Sequence, residues 1–127
     1  MILQAIQTNK APAAIGPYSQ AILAKGFLFV SGQIPLDPET GQMVGEDFSQ
    51  QARQSLENMK QILAAAGCGL EKVVAVDVFI TDISRFAQFN EVYASYFPEH
   101  KPARAVVEVN ALPRGAMVEV KCIAAVE

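Results

Sequence analysis

Histidine, cysteine and charge are all scarce in this chain of 127 residues. The single histidine, His100, removes any Ser/His/Asp or Cys/His constellation. Two cysteines, Cys68 and Cys122, far apart in sequence and outside any CxxC, give a structural zinc site no support. They could form one bridge, but read more simply as two reduced, buried thiols. Only 18% of residues are charged, with ten Lys and Arg against thirteen Asp and Glu and a net charge of −3. The pI is about 5.1 and the basic residues are scattered. Nucleic acids and anionic membranes draw their affinity from clustered Lys and Arg, so neither is an expected partner. No uncharged apolar run reaches the 18 residues that a membrane span needs. The N-terminal MILQAIQTNKAPAAIGP lacks a basic segment leading into a long apolar one, so no secretory signal is expected, and the expected compartment is the cytoplasm. GxGxxG and P-loop glycine patterns are absent too.

Apolar residues make up 51% of the chain, and the mean hydropathy is +0.22. That composition excludes a disordered, collagen-like or coiled-coil chain and fits a single domain over 1–127. A domain of this size leaves roughly a third of its unfolded-state surface exposed. With so few charges to cover that surface, part of it is expected to lie against another subunit.

Residues 3–8 alternate weakly, as a short strand does, and 10–17 reads as an ordered loop. Lys25-Gly26 separates the apolar runs 19–24 and 27–31, a hairpin signal. Residues 35–41 (PLDPETG) are turn-rich. From 47 to 66 the period becomes helical, with Phe48, Ala52, Leu56, Met59 and Ile62/Leu63 on one face and Gly67-Cys68-Gly69 as the stop. Residues 72–81 (KVVAVDVFIT) form a central strand, interrupted on its odd-numbered face by Asp77. Asp82 or Ser84 caps a second helix with the stripe Phe86, Phe89, Tyr93 and Tyr96/Phe97, which Pro98 ends. Residues 104–109 and 117–125 read as strands of a closing hairpin. The order β-β-β-α-β-α-β-β predicts an α+β fold, one sheet with both helices packed on one face.

Strand alternation puts Arg104, Val106 and Glu108 on one face and Val118, Val120 and Cys122 on the face away from Glu119 and Lys121. If the apolar faces lie beneath the helices, Arg104, Glu108, Glu119 and Lys121 share the far face. Two readings stand: a solvated face, or a charged site enclosed by neighbouring subunits. In such a site an arginine fork suits a carboxylate, and a nearby carboxylate can activate water. With Glu108 opposite Glu119, Arg104 and Glu119 would be roughly 13 Å apart, so a shared site would need a subunit boundary. Tyr18, in GPYSQ, is either a pocket phenol or a packed turn residue. Ser31 and Gly32, in VSGQIP, offer a hydroxyl and close approach to backbone N–H groups.

Taken together, GPYSQ at 16–20, FVSGQIPLDPETG at 29–41, QARQSLENMKQIL at 51–63, FNEVY at 89–93, PARAVVEV at 102–109 and LPRGAMVEV at 112–120 resemble the RidA (YjgF) family along essentially the whole chain. The resemblance implies a chorismate-mutase-like homotrimer with ligand sites between subunits. It implies hydrolytic deamination of imino and enamine acids such as 2-iminopropanoate and 2-iminobutanoate, without metal or organic cofactor. By the same resemblance Arg104 would clamp the substrate carboxylate and Glu119 would position water. Tyr18, Ser31 and Gly32 would line the pocket, with Ser31 as a donor, and Asn90 would support the site. Many members carry Arg-Ser-Cys where this chain has Arg104-Ala105-Val106, so chemistry or oxidative regulation that relies on that thiol is not expected here. The Val106 N–H remains able to bind a carboxylate. The alternative is a regulator that binds small carboxylates or partners in the same cleft without turnover. Ribonuclease activity, also attached to the family, is disfavoured by the acidic pI and lone histidine.

Overall fold

A computed structural model of the chain describes residues 2–126; Met1 and Glu127, the ends of the domain expected over 1–127, lie outside the described residues. Its strands are β1 (Gln4–Ile6), β2 (Ala21–Ala24), β3 (Phe27–Gln33), β4 (Val73–Ile80), β5 (Ala103–Glu108) and β6 (Val118–Ala125); its helices are α1 (Phe48–Ala65) and α2 (Phe86–Tyr96). Lys25 and Gly26 both take positive φ, 49° and 78°, which lets a two-residue turn follow the twist of β2 and β3. Asp47 caps α1 by accepting from the Gln50 N–H at 3.0 Å. The helix ends at Gly67 (φ 76°), where the Cys68 N–H donates to the Leu63 carbonyl and the Gly67 N–H to that of Ala64. This pairing needs a left-handed residue, which glycine supplies at little cost. Asp82 caps a 3-10 turn, Ile83–Arg85, that leads into α2.

One mixed sheet runs in the order β1-β2-β3-β6-β4-β5. The expected hairpin of the last two strands does not form. β4 lies between them, antiparallel to β6 and parallel to β5. A parallel neighbour requires a crossover, and α2 provides it, so β4-α2-β5 is a crossover unit. Both helices pack on one face, where Leu28, Val76, Val78, Val118 and Val120 meet Leu56, Met59, Ile62 and Phe89 in a fully closed core. The opposite face carries Ile22, Phe29, Ile123, Ala75 and Ala103 in one row. Two further rows hold Lys121, Asp77 and Ala105, and Glu119, Phe79 and Val107. It is mostly apolar yet open, with Phe29 and Val107 each nearly half exposed. The aromatic stripe of α2 is also split: Phe89 is buried, whereas Phe86 stays 40% exposed beside β5.

Candidate functional site

The candidate residues fall into two groups on opposite faces of the sheet. The first surrounds Glu119 on the open face. β3 carries an irregularity between Val30 and Gln33, where it gains one residue over β6. Such a bulge bends the strand and re-aims its backbone, here at Ser31 and Gly32. Gly32 lies so close to β6 that an added Cβ would meet the Glu119 carboxylate, with its Cδ only 2.9 Å away. The carboxylate therefore rests in a notch that only glycine leaves open. Burial pushes the Glu119 carboxyl above the usual carboxylate range, with Lys121 acting weakly in the other direction.

The notch opens into a cleft of about 540 Å³ lined by Tyr18, Gly32, Glu119, Ile34, Leu36 and Arg114, among others. Tyr18 is 53% exposed there, so it is not a packed turn residue. Ser31 flanks the notch, but its hydroxyl donates to the Ser19 carbonyl at 2.6 Å. Its proton is engaged, and the Oγ is left as an acceptor rather than the expected donor. Two lining residues escaped the sequence reading. Gln20 is buried and ties the loop wall together, accepting from the Thr8 N–H at 2.7 Å and donating to the Pro12 carbonyl at 2.8 Å. Arg114 takes a left-handed φ of 59° and donates to the Gly41 carbonyl at 2.9 Å, joining two rim loops. The glutamine within GPYSQ was a visible signal; the Arg114 conformation had none.

The second group is built on β5. Arg104 pairs with Val76, so it lies on the helix-side face, and Glu119 pairs with Phe79 on the other. The expected sharing of one face by Arg104, Glu108, Glu119 and Lys121 is thus corrected: Arg104 and Glu108 lie on the helix side, Glu119 and Lys121 opposite. The intervening strand β4 reverses the parity that a hairpin would have imposed. Two strand spacings across and three residues along put the Arg104 and Glu119 Cα atoms about 14 Å apart, with side chains on opposite faces.

Arg104 donates from Nη1 to Asn90 Oδ1 at 2.8 Å, and its guanidinium stands 4.7 Å from the Tyr93 ring centroid and 5.7 Å from that of Phe86. Glu108 is occupied in accepting from the Ile83 N–H at 2.8 Å. Among the described residues the ion pair present is Asp82 with Arg85, and none of their carboxylates pairs with Arg104. The Val109 N–H donates to the Ile80 carbonyl. Because strand N–H groups alternate in direction, those of Arg104 and Val106 point away from β4 to the free edge. The Val106 N–H is thus open at the sheet edge, and the Arg104 side chain, on the helix-side face of the same strand, is exposed.

Neither thiol is placed for nucleophilic work. Burial pushes the Cys122 thiol up to about 12, and burial also raises Cys68. His100 is engaged with the Val73 carbonyl at 2.6 Å. Among the described residues no cluster of three His, Cys, Asp or Glu could hold a metal ion, and no helix is long and apolar enough to cross a membrane.

Comparison with known proteins follows the same residues. A family profile described as Endoribonuclease L-PSP matches residues 8–126. A RutC family protein of Pyrococcus horikoshii is 54% identical over 121 residues, covering 95% of this chain and 96% of its own. The human protein named 2-iminobutanoate/2-iminopropanoate deaminase is 46% identical, over 98% of this chain and 90% of its own length. The crystal structure of E. coli TdcF with bound serine superposes with a TM-score of 0.92 at 44% identity, covering 96% of this chain and 98% of that one.

Proposed function

The chain belongs to the Endoribonuclease L-PSP (YjgF/RidA) family, and from that membership we propose that it hydrolyses reactive 2-imino acids to 2-oxo acids and ammonia. The sites would lie between the subunits of a cytoplasmic, chorismate-mutase-like homotrimer. The observation that carries the reading is the Arg104 fork, exposed, held by Asn90 and two rings, without a carboxylate partner among the described residues, and on the same strand as the free-edge Val106 N–H. A planar fork with an adjacent N–H is suited to a carboxylate. Glu119 supplies the second requirement, a desolvated carboxyl with raised proton affinity at the wall of a cleft. Since these groups lie on opposite faces of one sheet, a small substrate touches both only if a neighbour contributes one of them. The open apolar face, with Phe29 and Val107 half exposed, supports such a neighbour. The name of the 46% identical human relative supports 2-iminopropanoate and 2-iminobutanoate as substrates, and the serine bound to TdcF supports an amino-acid-like ligand.

In this reading Arg104 and the Val106 N–H of one subunit hold the substrate carboxylate. The Tyr18, Gly32 and Glu119 wall of its neighbour receives the imine, with Ser31 behind it as an acceptor. Water adds to the iminium carbon as Glu119 takes its proton, giving a carbinolamine. That proton moves to the nitrogen, ammonia leaves as the C–N bond breaks, and the hydroxyl proton returns to Glu119 or solvent. No metal or organic cofactor takes part. Imine hydrolysis proceeds in water unaided, so positioning and one proton relay suffice.

The test couples a threonine dehydratase to trapping of the free imine. The protein should accelerate imine loss, and Arg104→Ala should lower kcat/KM by about a hundredfold, the scale expected for losing one half of a desolvated charge pair. Equal rates for Arg104→Ala and the parent protein would refute the mechanism. Carboxylate binding without any rate effect would favour a non-catalytic regulator, for which the Ala105-Val106 replacement leaves room. A monomer by light scattering would remove the composite site.

A further inference from the structure

The Arg104 side chain is held by ring faces rather than by an acid. Its guanidinium lies over Tyr93 at 4.7 Å and over Phe86 at 5.7 Å, both from α2, about one turn after and one turn before Asn90. An ion pair would hold the arginine equally well but would compete with any incoming carboxylate for its in-plane N–H donors. A ring face attracts the cation without using those donors. Only the single bond to Asn90 Oδ1 draws on them. The Tyr93 ring is itself packed, 5.7 Å from that of Phe89 and 4.8 Å from that of Phe97, both buried. The Tyr93 hydroxyl is buried with no hydrogen-bond partner, so it does not explain the residue's place; the face turned to Arg104 does.

We propose that Tyr93, with Phe86, is a positioning platform that holds the Arg104 guanidinium in its carboxylate-binding pose. The proposal rests on the carboxylate-binding role given to Arg104 above. A freely rotating arginine would have to be ordered each time substrate binds; on the platform that ordering is already made by the fold. The platform therefore acts on substrate capture and leaves the proton relay at Glu119 alone.

The experiment compares kcat and KM for the dehydratase-generated imine, together with binding of 2-oxobutanoate by calorimetry, in Tyr93→Leu, Tyr93→Phe and Arg104→Ala. Tyr93→Leu keeps apolar packing but removes the π face. It should raise KM and the 2-oxobutanoate Kd by roughly three- to thirtyfold, the range of a partly desolvated cation–ring contact, with kcat within about twofold. Tyr93→Phe keeps the face and should hold KM within about twofold of the parent. Should Tyr93→Leu fail to fold, the more exposed Phe86→Leu carries the same test with a rise of at least about twofold. Unchanged KM and Kd in the ring variants, while Arg104→Ala has lost binding, would overturn the platform alone. Unchanged behaviour of Arg104→Ala would overturn the role of Arg104 itself, and the platform with it.

Discussion

Gly32→Ala separates the chemistry of the Glu119 notch from the stability of the fold. Gly32 does not occupy a left-handed conformation, so alanine meets no backbone penalty there. Its Cβ would, however, stand 2.9 Å from Glu119 Cδ and nearer still to Oε2. Relaxed contacts between such atoms are about 3.5–4.0 Å, so the carboxylate must retreat by roughly 1 Å. The atoms that move are the far end of a flexible side chain at a half-open cleft, and the strand itself need not shift. Alanine also restricts the unfolded chain, which favours folding by about 0.4–1 kcal/mol and offsets the crowding. The expected Tm is therefore within a few degrees of the parent. Catalysis should respond differently, because a misplacement of about 1 Å costs on the order of a hundredfold in rate. The dehydratase-coupled assay should show kcat down by ten- to a hundredfold, and 2-oxobutanoate binding through Arg104 little changed. A variant with parental kcat would show that the carboxylate position set by the notch is irrelevant to turnover. One that loses stability and binding together would show that Gly32 serves the strand rather than the acid.

Two further outcomes follow from single groups. Tyr93→Phe removes a buried hydroxyl that has no partner and should stabilise the protein by about 1 kcal/mol, read as a Tm rise of roughly 3–5 °C in thermal unfolding; a fall in Tm would mean that the hydroxyl is satisfied in solution. Glu119 has its carboxyl raised by burial, so between its unfolded and folded pKa values the native state binds more protons and stability falls as pH rises. Glu119→Gln should therefore melt above the parent at pH 7–8, and that gain should vanish once the pH drops below the ordinary carboxylate range; a pH-independent difference would place Glu119 in a solvated setting.

Local pattern was sufficient for much of this molecule. Lys25-Gly26 closes its hairpin, Asp47 and Gly67 bound α1, and Phe89 and Phe97 face the core of α2, all as the sequence indicates. These are features of contiguous residues, where a cap, a positive φ or a period of 3.6 acts within a few positions. The motifs also name the family, because they recur in order along the chain. Phe86 was the limit of that logic: helical period puts it on the apolar stripe, while its position at the first residue of α2 leaves it at the sheet edge under Arg104.

Read residue by residue, the chain specifies the set of elements, the chemical types available and the alternation within each strand. Alternation sorts Arg104 from Ala105 and Glu119 from Val118, but it cannot say which strand lies between them. It is long-range packing that sets β4 between β5 and β6, because α2 returns the chain parallel to β4 and both edges of that strand then gain hydrogen-bonded neighbours. From that one choice follow the opposite faces of Arg104 and Glu119 and the outward Val106 N–H. The bulge in β3 and the Ser31 bond to Ser19 are likewise decided by strands meeting across long stretches of chain. Pairing of that kind is set by competing burial over the whole sheet, which no window of neighbouring residues contains.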